Sequence, residues 1–119
     1  MSPGIGQSLH HLSTADKLEV IRDIRSLLAA GGLLLLWEPT RFDGEDRDTW
    51  FRRFEARCRP LWIELTTDEW DSMATHVRTF DFPETDSGWL ALGRDAGFRE
   101  GRELMKAMDD LCRVYCFRA

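Results

Sequence analysis

The sequence predicts an α/β domain in which a three-stranded mixed sheet is covered by three to four helices. Three observations lead to this prediction: an amphipathic helical segment that ends at two glycines, a short apolar run directly after them, and an alternating pattern near the end of the chain. The 119 residues suit a single domain. Hydrophobic residues make up 43% and charged residues 31%, which is typical of a globular rather than a disordered chain.

The first helix is expected after residues 1–7, which contain glycine and proline and are expected to be flexible. Ser13 or Thr14 can cap this helix. Gly31 and Gly32 end it, because the left-handed conformation at a helix C-terminus favours glycine. Apolar residues recur within it at steps of three and four, as on one face of a helix: Leu18, Ile21, Ile24, Leu27 and Leu28.

A strand is predicted over Leu33–Trp37, where five apolar residues stand between Gly32 and Pro39. Five residues are too few for a helix, and Pro39 disfavours helical geometry at Glu38. Because the run is apolar throughout rather than alternating, we expect this strand to be buried on both faces.

Three further helical segments are predicted in the middle of the chain. The acidic stretch 43–48 suits a helix start, and Pro60 stops the helix that follows. Thr66 and Glu69 have the spacing of a capping box that opens the next helix. A third, short helix ends at Gly97. Their apolar faces are, in order, Trp50, Phe51, Phe54 and Cys58; Trp70, Met73 and Val77; and Trp89, Leu90, Leu92 and Ala96.

The end of the chain is predicted to be a hairpin with arms over 99–108 and 111–117, joined at Asp109 and Asp110, since aspartate tolerates turn geometry. Side chains on both faces of the second arm are largely apolar. We therefore expect this arm to lie inside the sheet rather than at its edge.

Composition excludes several classes of function. The net charge is −5 and no basic block is present, so nucleic-acid binding is not expected. The longest apolar run is far shorter than a membrane span, and residues 1–7 lack the features of a signal peptide. The three cysteines show no CxxC spacing, which argues against a disulfide framework or a zinc site and favours a cytoplasmic location.

Two stretches of the sequence resemble the second half of class I S-adenosylmethionine-dependent methyltransferases. The first is Ser-Leu-His-His-Leu at 8–12, followed by the amphipathic helix and by Ala-Gly-Gly-Leu-Leu-Leu-Leu-Trp-Glu-Pro at 30–39. The second runs from Phe82 to Leu92 and continues with Ala-Gly-Phe at 96–98. The resemblance implies a partial Rossmann-like methyltransferase fold in one domain over 1–119, with S-adenosylmethionine as the family's cofactor and a small molecule as methyl acceptor.

The chain also departs from that family. The family's glycine-rich turn after its first strand and the carboxylate that binds the ribose have no counterpart here, since Gly4 and Gly6 precede the predicted strand. Of the family's strand order 3-2-1-4-5-7-6, this chain would supply only strands 5, 7 and 6. We therefore expect a truncated methyltransferase-like protein that does not bind the cofactor alone. The alternative is a non-catalytic interaction or dimerisation module, or a subunit completed by a partner chain.

By resemblance, four residues are candidates for the acceptor pocket: His10, His11, Glu38 and Arg41. One histidine would contact or position the acceptor; the alternative is that both are partly solvated residues of the loop that leads into the helix. Glu38 ends the predicted strand where α/β sites collect, or is a solvated loop acid; Arg41 could simply pair with a nearby acid. An adjacent histidine pair offers too few ligands for a metal, so no metal is expected.

Assembly is predicted from the family's strand order. The neighbour that strand 4 would provide for Leu33–Trp37 has no counterpart in the predicted elements, which leaves an apolar edge open to another chain. We therefore expect a homodimer or larger homo-oligomer formed through this strand.

Overall fold

A computed structural model describes residues 4–6 and 8–119 of the chain. The described residues form four α-helices, a short 3₁₀ helix and five strands. In chain order these are β1 (Gly4–Gly6), the 3₁₀ helix (Leu9–His11), α1 (Thr14–Leu27), β2 (Leu33–Arg41), α2 (Arg47–Cys58), α3 (Thr67–Phe80), β3 (Glu84–Thr85), α4 (Asp86–Asp95), β4 (Glu100–Ala107) and β5 (Cys112–Arg118).

The sheet has the order β1-β2-β5-β4, and the short β3 pairs with the far end of β2. β1 and β3 run parallel to β2, whereas β5 is antiparallel to both β2 and β4. The predicted mixed α/β sheet and its terminal hairpin are confirmed, and β5 lies inside the sheet as expected. The four-strand path matches the 4-5-7-6 end of the order that the resemblance implies.

The predicted number of three strands is wrong, and the reason lies at the N-terminus. Gly4–Gly6 was expected to be loose, yet it forms β1 and pairs with Leu35–Trp37. A backbone ladder needs no side chains, so two glycines do not prevent this pairing when the neighbouring strand offers free backbone groups. β1 occupies the place of the strand expected to be missing. The rest of the predicted flexible segment, residues 1–3 and 7, lies outside the described residues.

The principal core lies on one face of the sheet, under α1 and α4. Leu34 and Leu36 of β2 alternate inward and pack with Tyr115 and Phe117 of β5. The prediction that β2 is buried on both faces is wrong, because Leu35 and Trp37 point to the opposite face and remain 39% and 40% exposed. Met105 of β4, which pairs with Val114 in the same row as Trp37, is 57% exposed as well, so this face of the sheet is open to solvent although the strand is apolar throughout.

Helix α1 begins where the sequence predicts. Ser13 is its N-cap, and the Ser13 side chain accepts a hydrogen bond from the backbone of Asp16. Ile21 is fully buried, while Ile24 and Leu28 pack at the margin of the core. Leu27 was assigned to the same apolar face but is 85% exposed. The buried stripe of this helix therefore follows the positions 17, 21, 24 and 28.

A second core cluster joins α2 and α3. The predicted apolar face of α2 is confirmed, since Trp50, Phe51, Phe54 and Cys58 are all buried there. The capping box predicted at the start of α3 is also confirmed, because Thr66 and Glu69 exchange both hydrogen bonds. Four apolar residues of the connection between these helices are exposed: Leu61, Trp62, Ile63 and Leu65.

The hairpin and the far end of β2 fix the geometry of the site described below. Three consecutive residues at the hairpin turn, Met108 to Asp110, have positive φ, in agreement with the predicted turn. β2 continues past Pro39, because the Thr40 N–H donates to the Leu111 carbonyl of the hairpin. On the other side of β2, β1 pairs only as far as Trp37 and β3 begins to pair at Thr40, so the missing N–H of Pro39 interrupts neither pairing.

Among the described residues no helix is long and apolar enough to span a membrane.

Candidate functional site

The candidate site lies where the parallel strands β1 and β2 end. Parallel strands bring their carboxyl ends to the same edge of a sheet, and ligands of open α/β sheets bind outside that edge. The 3₁₀ helix follows β1 at this edge and Glu38 lies near the end of β2. The segment between α3 and β3 closes the same edge, because β3 pairs with Thr40 and Arg41.

Glu38 organises this edge from inside the protein. Its side chain is fully buried, and its Oε1 accepts hydrogen bonds from the backbone N–H groups of Ser8 at 2.9 Å and Leu9 at 2.7 Å. Its Oε2 accepts a further one from the His10 N–H at 3.3 Å. The carboxylate thus satisfies the N–H groups at the start of the 3₁₀ helix, where a negative charge is favoured. The alternative that Glu38 is a solvated loop acid is wrong.

His10 lies between two carboxylates. Its Nδ1 is 2.8 Å from Glu38 Oε2, and its Nε2 is 3.7 Å from Asp81 Oδ1. The His10 side chain is buried, so it is not the partly solvated loop residue of the alternative interpretation. The hydrogen bond to Glu38 fixes the orientation of the ring and directs Nε2 toward Asp81.

Asp81 follows α3 and completes the cluster. The Asp81 Oδ1 atom is buried, and among the described residues it has no hydrogen-bond partner. Burial raises the pKa of this carboxyl, while the nearby histidines His10, His11 and His76 act in the opposite direction. A buried carboxylate oxygen that accepts no hydrogen bond is uncommon in folded proteins, which marks this atom as a candidate for binding.

His11 is the solvent-facing member of the cluster. Its Nδ1 lies 3.3 Å from Asp81 Oδ1, its side chain is 46% exposed, and its ring is 4.1 Å from that of His10 between centroids. The backbone N–H of Phe82 donates to the His10 carbonyl at 2.6 Å, which ties the segment after α3 to the 3₁₀ helix. His10, His11 and Asp81 each offer one ligand atom, and these atoms lie within 4.8 Å of one another.

A buried lysine lies beside the cluster. Lys17 of α1 is fully buried, donates to Glu84 Oε1 at 2.9 Å, and also donates to the Phe82 carbonyl. Burial lowers the pKa of the Lys17 ammonium, and the hydrogen bond to Glu84 partly counteracts this. The ammonium also lies over the Trp89 ring, 5.3 Å from its centroid. This pair holds the segment after α3 against α1.

Arg41 plays a different part from the other three predicted residues. Its Nε donates to the Pro83 carbonyl and its Nη1 to the Glu45 carbonyl, each at 2.7 Å. The guanidinium thus braces two loops around the site by bonding to backbone rather than to an acidic side chain. The structure brings His10, His11 and Glu38 together and places Arg41 at their periphery.

Sequence reasoning missed Asp81, Lys17 and Glu84. Asp81 stands between predicted elements, and no local pattern in the sequence distinguishes it from the exposed acids of the chain. Lys17 does carry a signal, because it lies four residues before Ile21 on the buried stripe of α1. Glu84 becomes significant only because β3 pairs with β2.

Comparison with known proteins agrees with this architecture. No protein-family model matches the sequence, and no curated protein matches it. Among solved structures, 98% of the chain superposes on PigF with SAH, with a TM-score of 0.64 and 19% identity. The same share of the chain, 98%, superposes on a protein from Nostoc punctiforme PCC 73102 called a "putative O-methyltransferase", with a TM-score of 0.61 and 14% identity. The chain has a class I methyltransferase-like fold.

The chain spans less than a third of the structures that it matches. It covers 29% of the PigF chain and 30% of the Nostoc protein. The likeness therefore concerns one part of each larger protein, namely the mixed sheet with its helices and terminal hairpin.

Proposed function

We propose that this chain contributes the acceptor side of S-adenosylmethionine-dependent methyl transfer to a small molecule. The observation that carries the proposal is the buried pair of His10 and Glu38 at the carboxyl edge of β1 and β2, in a methyltransferase-like fold. The pair holds the 3₁₀ helix in place, so that the exposed ring of His11 faces the region where ligands of such sheets bind. Methyl transfer then depends on positioning the acceptor for in-line attack.

We further propose that the chain alone does not bind S-adenosylmethionine with useful affinity. One of the matched structures, PigF, was solved with SAH, and more than two thirds of that chain lies outside the match. In the described part of this chain, the path β1-β2-β5-β4 matches the 4-5-7-6 end of the family order, so it does not include the family's first strand, after which the glycine-rich turn approaches the nucleotide. We also propose a cytoplasmic location, because the spacing of the three cysteines favours reduced thiols over disulfides.

Calorimetry and NMR test the two halves of this proposal separately. Titration with S-adenosylmethionine should give no saturable heat in the low micromolar range, and a dissociation constant in that range would contradict the dependence on further protein. In an NMR screen of small-molecule acceptors, ligands should shift the ring resonances of His10 and His11. The indole resonance of Trp62, in the remote loop between α2 and α3, is the internal reference. Ligands that shift only Trp62 would contradict the acceptor site.

A second candidate function is assembly, and the uncovered face of the sheet favours it. Leu35 and Trp37 expose apolar surface on that face of β2, and Val114 of β5 lies directly opposite Trp37. β1 already covers part of the edge of β2, so the proposed homodimer or larger homo-oligomer packs through this face rather than through an open edge. A second copy of the chain offers the same apolar surface, and identical surfaces pair by two-fold symmetry.

Light scattering distinguishes this second candidate from a monomer. The wild-type chain should have at least twice the monomer mass, and Leu35→Lys should reduce it to the monomer. Leu27→Lys is the matched control, because Leu27 is equally apolar and 85% exposed but lies on α1. A monomeric wild-type chain, or equal effects of both substitutions, would overturn the assembly function.

A further inference from the structure

The side chains of His10, His11 and Asp81 converge on one point beside the carboxyl edge of the sheet. We propose that these three side chains form a binding site for a divalent first-row transition metal of the zinc type. The sequence offered only an adjacent histidine pair, which is too few ligands for a metal. The fold supplies the third ligand from the end of α3, 70 residues further along the chain. The proposal does not depend on the methyl-transfer function proposed above.

The distances within the cluster suit tetrahedral coordination. Zinc binds histidine nitrogen and carboxylate oxygen at roughly 2.0–2.2 Å, which places tetrahedral ligand atoms about 3.3–3.5 Å apart. Asp81 Oδ1 lies 3.3 Å from His11 Nδ1 and 3.7 Å from His10 Nε2. All three ligand atoms lie within 4.8 Å of one another, so small ring rotations bring them onto one ion.

Glu38 provides the outer support that a histidine ligand requires. A histidine that binds a metal through one nitrogen usually donates its other N–H to a carboxylate, which fixes the ring and raises its basicity. His10 Nδ1 lies 2.8 Å from Glu38 Oε2, which leaves Nε2 to face Asp81. Glu38 is itself held by the backbone N–H groups of Ser8 and Leu9.

A cation also accounts for the lack of a hydrogen bond to Asp81 Oδ1 among the described residues. Its Oδ1 is buried and accepts no hydrogen bond from the described residues, which is costly for a polar atom. His10 Nε2 faces this oxygen, and if Nδ1 carries the ring proton, two lone pairs point at each other. A metal ion between them would satisfy both atoms at once.

The backbone around the cluster is held on each side. The Asp81 N–H donates to the Val77 carbonyl at the end of α3, and the Asp81 carbonyl accepts from Arg47 Nε at 2.9 Å. The N–H of Phe82 donates to the His10 carbonyl. Because the ligands stand on backbone that is already fixed, little ordering is needed to bind an ion.

The ligand set selects the kind of metal. Two imidazoles and one carboxylate suit zinc and its neighbours, whereas magnesium and calcium prefer sites made of oxygen atoms. The His11 side is half exposed, so a fourth position remains accessible to water or to an atom of a bound molecule.

Calorimetric titration of the metal-stripped chain with zinc chloride tests the proposal. We expect one saturable site per chain, and no saturable heat with magnesium chloride. Asp81→Asn keeps the shape of the side chain and removes its charge, and should weaken zinc binding by at least about tenfold. Glu38→Gln should weaken it by about 10–100-fold, as loss of an outer partner does. His11→Ala should weaken it by at least about tenfold as well, and because His11 is half exposed this variant should remain folded.

His76→Ala is the matched control, because His76 is the third and last histidine of the sequence and lies near the cluster without belonging to it. Its zinc affinity should stay within about threefold of the wild-type value. Thermal unfolding of each variant without metal verifies that it folds, and zinc should raise the unfolding midpoint of the wild type but not of Asp81→Asn. Absence of saturable zinc binding, wild-type affinity in His11→Ala or Asp81→Asn, or an equal loss in His76→Ala would overturn the proposal.

Discussion

His10 Nδ1 and Glu38 Oε2 lie 2.8 Å apart in the interior, although 28 residues separate the two side chains in the sequence. The pair joins the turn after β1 to the end of β2. The same carboxylate accepts hydrogen bonds from the backbone N–H groups at the start of the 3₁₀ helix. One buried acid therefore fixes both the backbone and the histidine of the candidate site.

Substitution of Glu38 should therefore destabilise the whole edge of the sheet. Glu38→Gln replaces one acceptor oxygen with an NH₂ group that faces N–H donors, so at least one charge-assisted hydrogen bond is lost. We expect the free energy of unfolding in urea to fall by about 2 kcal/mol. Glu19→Gln, at an exposed position of α1, is the control and should stay within about 0.5 kcal/mol of the wild type. Equal stability of the two variants would mean that Glu38 does not hold the 3₁₀ helix.

Three substitutions along α1 should rank by burial rather than by residue type. Ile21→Ala removes a fully buried side chain and should cost about 3–5 kcal/mol, whereas Ile24→Ala, at the margin of the core, should cost about 1–3 kcal/mol. Leu27→Ala should change stability by less than about 0.5 kcal/mol because its side chain is exposed. Denaturant midpoints measure all three. A larger loss in Leu27→Ala than in Ile21→Ala would show that the helix is rotated from this position.

Gly93 should resist the substitution that helix propensity favours. Alanine usually stabilises a helix relative to glycine by about 1 kcal/mol, but a Cβ at Gly93 of α4 would overlap the ring of Phe117 in β5. We expect Gly93→Ala to destabilise the protein by about 1–3 kcal/mol through overpacking. In a double-mutant cycle with Phe117→Leu, the combined loss should be smaller than the sum of the single losses. Stabilisation by Gly93→Ala alone would refute this close packing.

Lys17 should make stability depend on pH in the alkaline range. Burial holds the pKa of Lys17 below its ordinary 10.5, with Glu84 and Glu38 opposing the shift and Arg41 adding to it. Between the lowered folded-state pKa and 10.5, the unfolded chain binds a proton that the folded chain has released. The contribution of Lys17 to stability therefore rises with pH across this window. The unfolding free energy of the wild type minus that of Lys17→Met should therefore increase from about pH 8 to pH 10. A decrease of this difference over the same range would contradict the lowered pKa.

The same pair gives a test at neutral pH. Lys17→Met leaves Glu84 in a largely buried position without its cation, which should cost about 3–5 kcal/mol. Adding Glu84→Gln removes the uncompensated charge, so the double variant should recover much of this loss. If the double variant is as unstable as Lys17→Met, the loss comes from packing against Trp89 rather than from charge.

The sequence by itself determined the local elements of this protein. Periodic apolar residues, the capping box at Thr66 and Glu69, and glycines at the helix ends specify four helices, because these signals act within one or two turns of backbone. The hairpin and the inner position of β5 follow in the same way from alternation along the strand. Of the candidate site, His10 and His11 came from the resemblance to the methyltransferase family, and Glu38 came from that resemblance together with its place at the end of a predicted strand.

The tertiary structure alone decided which of these elements meet and which surfaces they cover. The apolar run of β2 does not reveal that Leu35 and Trp37 face an uncovered side of the sheet, since burial depends on what packs there. Gly4–Gly6 becomes a strand only because β2 offers it backbone partners. Asp81 reaches His10 because β3 pairs with β2 and the Phe82 N–H bonds to the His10 carbonyl. Contacts between residues so distant in sequence arise from chain topology, and no local pattern encodes them.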